Sequence, residues 1–210
     1  MKNLVLTVFG ILTSVGIANI HAQEDLIKFG VDDTKHIPVG LKIGDLAPII
    51  YDTAVNGNII NTAELVGKEE VVVIFYRGQW CPVCNRYLSN LSDSLEMIES
   101  KAKVILIGPE SFENAQEESK MQDDKFTIIA DAKGMYLSGF DVTFTVTDKY
   151  EKKIKTFLKT SIAENNEQQE AQLPVPATYV IGKDGKIKYR HFDYNYKVRA
   201  TAKEILGALE

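Results

Sequence analysis

The only thiols in this chain are Cys81 and Cys84, and two residues separate them. A Cys-x-x-Cys pair can close a small disulfide, supply half of a zinc site, or pass electrons between thiolate and disulfide. A structural bridge over so short a loop restrains the unfolded chain little. Zinc needs two further ligands, and of the three histidines only His36 and His191 lie beyond residue 22. Redox exchange needs only an activated thiolate, and the neighbouring residues supply one. Pro82 follows Cys81 directly, and proline is at home in the first position of a helix, where its missing N–H would have no partner anyway. Cys81 then falls at a helix N-terminus, where free N–H groups and the helix dipole favour thiolate over thiol. The expected order is an acidic, attacking Cys81 and a Cys84 that stays protonated longer and resolves. Arg77 and Trp80 stand immediately before the pair. Arg77 is either a thiolate-polarising cation or a surface arginine at a strand exit.

The elements around the pair have to place it. Val71–Tyr76 (VVVIFY) reads as a central strand buried on both faces. From Pro82 to Lys101 the period turns helical, with Leu88, Leu91, Leu95 and Ile98 on one face. Val104–Ile107 is the next buried strand, Ser111 caps a helix to about Met121, and Phe126–Ile129 is a third strand. This βαβ rhythm predicts a largely parallel sheet. Asn56-Gly57 marks an N-terminal β-hairpin, and Gly182–Gly185 a second one between Ala177–Ile181 and Lys186–Phe192. Residues 141–173 read as a surface insertion, with one helix carrying Ile154, Phe157, Leu158 and Ile162, then a solvated run over 164–172. Pro176 must open its strand, because proline cannot sit within a central ladder. A cis bond there would turn the Val175 backbone toward the cysteines. The last helix opens with the capping box Thr201-Ala202-Lys203-Glu204.

Lys2, the apolar run Leu4–Ile20 and the small residue Ala22 follow the order of a secretory signal peptide. The organisation expected is therefore a leader over 1–22, an irregular lead-in over 23–42 and one domain over 43–210. The mature protein is expected to be exported, to the periplasm or beyond, with no membrane segment after cleavage. A net charge of −5 with no basic block argues against a nucleic-acid partner.

The stretch Phe75–Cys84 (FYRGQWCPVC), with Leu173–Ile181 (LPVPATYVI) and a Lys-Asp-Gly turn after it, resembles the peroxiredoxin-like branch of the alkyl hydroperoxide reductase/thiol-specific antioxidant family. The Gly44–Pro48 turn matches that family's opening motif, so the resemblance runs from about Ile43 to Leu209. It implies a thioredoxin-like α/β fold, with a mixed, largely parallel central sheet flanked by helices and a helical insertion before the Pro176 strand. It also implies Cys81 as nucleophile, Cys84 as resolving thiol and a cis Pro176. No cofactor is implied: the substrate is a hydroperoxide or a protein disulfide, and electrons come from an external thioredoxin-like dithiol. Two positions depart from the family pattern. Typical peroxiredoxins carry proline seven residues, and threonine or serine three residues, before the attacking cysteine, where this chain has Ile74 and Gly78. The family pattern favours peroxide reduction, while Trp80–Cys84 favours dithiol–disulfide exchange; a third reading, a non-catalytic binding module of the same fold, would be indifferent to loss of both cysteines.

Overall fold

The computed structural model describes residues 26–210; the leader expected over 1–22 lies outside them. Asn56-Gly57 closes a hairpin between β1 (Tyr51–Thr53) and β2 (Ile59–Asn61), with Gly57 at φ +85°. The central sheet begins at β3 (Glu70–Phe75), which is buried from Val71 onward. The chain continues through α1 (Pro82–Ser92), α2 (Leu95–Glu99), β4 (Ala102–Gly108), α3 (Phe112–Met121) and β5 (Ile128–Ala130). β3, β4 and β5 pair in parallel, as the βαβ rhythm requires. The single helix expected over Pro82–Lys101 is two helices, interrupted at Asp93 and Ser94. Short polar side chains compete for backbone hydrogen bonds and favour such breaks. The apolar face nonetheless continues across the break, with Leu88, Leu91, Leu95 and Ile98 all buried.

The excursion over 141–173 has more order than its composition suggests. After α4 (Met135–Gly139), β6 (Thr143–Thr145) pairs antiparallel with β7 (Gln172–Pro174) and ties the ends of the excursion together. Between them lie α5 (Asp148–Leu158) and α6 (Ile162–Asn165). The helix expected to run through Ile162 breaks at Lys159, which takes φ +56°. Ile154 and Ile162 are buried, whereas Phe157 faces solvent. The run expected to be solvated holds buried Asn165 and Asn166. The Asn165 carbonyl accepts from the Ser111 N–H and the Asn114 amide, and the Asn166 amide donates to the Gln172 carbonyl. A polar stretch here is a buried, hydrogen-bonded turn.

β8 (Ala177–Ile181) pairs antiparallel with β3 and turns through Gly182–Gly185 into β9 (Ile187–Phe192). The sheet order is β5-β4-β3-β8-β9. α7 (Ala202–Ala208) opens on the expected capping box: Thr201 Oγ1 accepts from the Glu204 N–H, and the Glu204 carboxylate accepts from the Thr201 N–H. Side chains alternate across β3. Val72, Ile74 and Tyr76 pack with Leu88, Leu91 and Ile205, in the same layer as both cysteines. Val71, Val73 and Phe75 face the opposite layer with Phe140 and Tyr179.

Two further expectations are corrected. The Val175–Pro176 bond is trans, since the described residues contain no cis peptide. The Val175 N–H donates to the Val142 carbonyl at 2.7 Å, one step beyond the β6–β7 ribbon, which ties this backbone to the start of the excursion. The lead-in is also less irregular than its sequence suggests. Val31 is fully buried and bridges Val146. At Gly30 (φ +93°) a Cβ would lie 2.5 Å from the Tyr150 ring, so glycine lets the lead-in close over the excursion.

Candidate active site

β3 delivers the chain into a tight turn, Arg77-Gly78-Gln79-Trp80, which ends at Cys81, the N-cap of α1. The Cys81 N–H donates to the Gly78 carbonyl at 3.0 Å, and the Asn85 amide donates to the Gln79 carbonyl at 2.8 Å. Pro82 takes the first helical position, as the sequence requires. The Cys84 N–H points back at Cys81 Sγ, 3.4 Å away. The two sulfurs are in hydrogen-bond contact at 2.7 Å. Both cysteines are free thiols. Cys84 has no exposure and Cys81 has 2%. Whatever reaches the pair from solvent meets Cys81 first.

The charge on this pair is arranged differently from the expectation. Arg199 Nη2 donates to Cys84 Sγ at 3.2 Å, while its Nε donates to the Tyr196 carbonyl at 2.8 Å and its guanidinium lies 5.3 Å from the Tyr87 ring centre. Burial opposes a Cys84 thiolate. The hydrogen bond with Cys81, together with the charges of Arg199 and Arg77, outweighs that and brings the thiol down to about 5. The same hydrogen bond, then burial and the Cys84 charge, hold the Cys81 thiol well above its ordinary range. The reduced pair therefore carries one negative charge, lodged on the Arg199 side, and one proton shared across the contact. Nothing in the residue pattern pointed to Arg199, which lies 115 residues from Cys84 with no motif linking them.

Arg77 is not a surface arginine. It is 2% exposed, and its guanidinium sits 4.3 Å from the Tyr196 ring, 5.3 Å from Trp80 and 5.4 Å from Tyr150. Its Nη2 donates to the Tyr150 hydroxyl at 2.9 Å. Burial disfavours its charge, but Tyr150 and the two sulfurs more than compensate, so it stays protonated. Excursion, C-terminal segment and β3 exit thus meet on one caged cation. Trp80 is nearly buried, and its indole N–H has no hydrogen-bond partner. Gly78 adopts φ +128°, and a Cβ there would stand 2.6 Å from Trp80 Nε1 and 3.0 Å from Glu110 Oε2. The missing hydroxyl at this position therefore has a structural cause. Val175 is buried in the same layer as the cysteines, and the β3–β8 register runs Pro176 toward the β3 exit. His36 and His191 stay apart from the sulfurs: His36 pairs with Asp141 at 2.6 Å, and His191 faces the Val198 carbonyl.

Glu110, at the end of β4, is a further group that no motif announced. It is fully buried and accepts from the Tyr76 hydroxyl at 2.6 Å and the Gln79 N–H at 2.7 Å. Burial raises its carboxyl to about 7 despite those donors, and the nearby Cys84 charge adds to the rise. Burial and the Glu110 charge likewise raise Glu118 to about 7. No group of side chains suited to a metal ion occurs among the described residues.

A family model described as the AhpC/TSA family matches residues 43–190. Among solved structures, peroxidoxin BcpB from Mycobacterium tuberculosis is similar at 17% identity and TM-score 0.59, covering 80% of this chain and 96% of that one. Peroxiredoxin Q from Xanthomonas campestris is 15% identical at TM-score 0.57, covering 76% and 89%. A peroxiredoxin-like protein from Aquifex aeolicus is 16% identical at 0.58, covering 81% and 86%. No curated protein sequence matches the chain.

Proposed function

The chain belongs to the AhpC/TSA family and is a thiol-dependent oxidoreductase that needs no prosthetic group, and we propose that it reduces hydroperoxides through Cys81, with Cys84 as the resolving thiol. The observation that carries this reading is the pair itself: two free sulfurs 2.7 Å apart at the start of α1, of which only Cys81 has any exposure. A proton shift across that contact places the thiolate on Cys81. The thiolate attacks the outer peroxide oxygen, the O–O bond breaks, and the departing alkoxide or hydroxide takes a proton to leave as alcohol or water. Cys81 is then a sulfenic acid. Cys84 thiolate attacks that sulfur, expelling hydroxide, which is protonated to water, and the disulfide closes. An external thioredoxin-like dithiol returns two electrons and two protons and restores the pair. We further propose that residues 1–22 are removed and the protein is exported; N-terminal sequencing of the mature protein tests this.

Dithiol–disulfide exchange is the second reading, favoured by the Gly78 turn, which provides no hydroxyl for the peroxide. Losing one donor to a departing oxygen typically costs about 10²–10³ in rate. Stopped-flow mixing of reduced protein with hydrogen peroxide, and separately with a protein disulfide, distinguishes the two. The expected result is peroxide reduction that is measurable but slow for a peroxiredoxin, and lost in Cys81→Ser. Disulfide exchange outpacing peroxide reduction would overturn the first reading in favour of the second.

A further inference from the structure

Beside the cysteine layer lies a cavity of about 590 Å³ with a two-sided lining. Val83, Leu91, Ala200 and Ala202 form an apolar wall, while Arg86, Lys197 and Arg199 bring three cations to the same space. No acidic residue lines it. None of the three cations forms a salt bridge with a carboxylate among the described residues. In a chain of net charge −5 this is a basic site that no described carboxylate balances, with the Cys84 sulfur as the anionic partner of Arg199. Arg199 belongs to both places at once. Its Nη2 holds Cys84 Sγ at 3.2 Å, and it also lines the cavity.

We propose that this cavity binds an amphipathic organic monocarboxylate, with its carboxylate on Arg199 and its alkyl body on the apolar wall, and that binding is linked to the redox state of the cysteines. A planar guanidinium matches a carboxylate through two parallel N–H donors. Inorganic phosphate satisfies the cations but leaves the wall unused. The linkage follows from the shared arginine. In the reduced protein Arg199 is engaged by a sulfur bearing negative charge. In the disulfide that sulfur is neutral, so the guanidinium is released to the ligand. The carboxylate therefore binds the oxidised form more tightly, and by reciprocity its presence makes the disulfide harder to reduce. The proposal depends on the function above in one respect only, that Cys81 and Cys84 close a disulfide, which the mass of the oxidised protein checks separately.

The test is calorimetric titration of full-length oxidised and reduced protein with sodium octanoate. The expected result is about tenfold tighter binding to the oxidised form, and a reduction potential about 30 mV lower at saturating octanoate, since tenfold in a two-electron couple corresponds to that shift. Arg199→Gln abolishes octanoate binding to both forms. Lys197→Glu, at an exposed position of the cavity wall, weakens binding severalfold or more and leaves the potential without ligand, and peroxide turnover, unchanged. Equal affinity for the two redox forms overturns the linkage. Octanoate binding that survives both substitutions, or phosphate binding as tight as octanoate, overturns the site assignment. A disulfide that fails to form refutes the resolving role of Cys84, whereas octanoate binding to the reduced form still reports on the cavity.

Discussion

At Gly78 the backbone stands at φ +128°, with Trp80 and Glu110 closed against the place where a side chain would begin. Gly78→Thr, which installs the hydroxyl usual in peroxiredoxins, therefore strains the turn instead of improving the site. The expected cost is about 2–4 kcal/mol in urea unfolding with no gain in peroxide turnover; a stable, faster variant would show that Trp80 yields. Arg199→Gln removes the guanidinium that charges the sulfur pair. Ultraviolet thiolate absorbance followed against pH should show the first transition, placed about 5 by the Cys84 thiol, rise by about 1–3 units. An unmoved transition would assign the acidification to Arg77 and the helix start. Cys81 and Cys84 were legible because spacing, Pro82 and the strand before them all pointed one way. Arg199 and Glu110 were not, because their contacts join distant segments and leave no local pattern. The acidity order inverted for the same reason, since helix position favours Cys81 while a distant arginine favours Cys84.

Elements with a strong period and turns with defined chemistry were legible: the buried run into β3, the parallel βαβ order, both hairpins and the α7 capping box. What competed with tertiary context was not. The breaks at Asp93-Ser94 and Lys159, the β6–β7 ribbon and the trans bond before Pro176 depend on what lies across from them. The excursion in particular looked like surface, yet Tyr150 of α5 reaches the Arg77 cage. Tyr150→Phe keeps the ring and removes the oxygen that accepts from Arg77 Nη2. Leaving a buried guanidinium short of a charge-assisted hydrogen bond should lower stability by about 1.5–3 kcal/mol with an unchanged far-ultraviolet circular dichroism spectrum. Urea unfolding measures it, and no change would mean that the aromatic rings alone hold the cation.

At the scale of the molecule, two raised carboxyls shape stability against pH. Glu110 and Glu118 ionise near 7 when folded and at their ordinary 4.5 when unfolded. Between those values the folded chain binds more protons at these two carboxyls, so their contribution to stability falls as pH rises from about 4.5 to about 7 and then levels; Asp131, raised to about 6, adds to the fall, while Cys84, lowered to about 5, opposes it. Each of the two glutamates accounts for about 3 kcal/mol by the usual conversion. Glu118 Oε2 is buried without a partner, so Glu118→Gln should be more stable than the parent above pH 7, with the difference between the two growing from about pH 4.5 to about pH 7. Thermal unfolding at a series of pH values tests this, and an unchanged slope would locate the dependence elsewhere. The near-complete enclosure of the sulfurs has a kinetic consequence for the proposed cycle. A small hydroperoxide can reach Cys81 through breathing of the turn, but a protein reductant needs the start of α1 to part from its layer. That parting is a unimolecular step with its own rate, whatever the reductant concentration. Recycling should therefore reach a plateau as the reducing protein is increased, while peroxide consumption climbs in proportion to peroxide. Mild denaturant below the unfolding range should raise the plateau, and amide exchange at Cys84 and Asn85 should run at a matching rate.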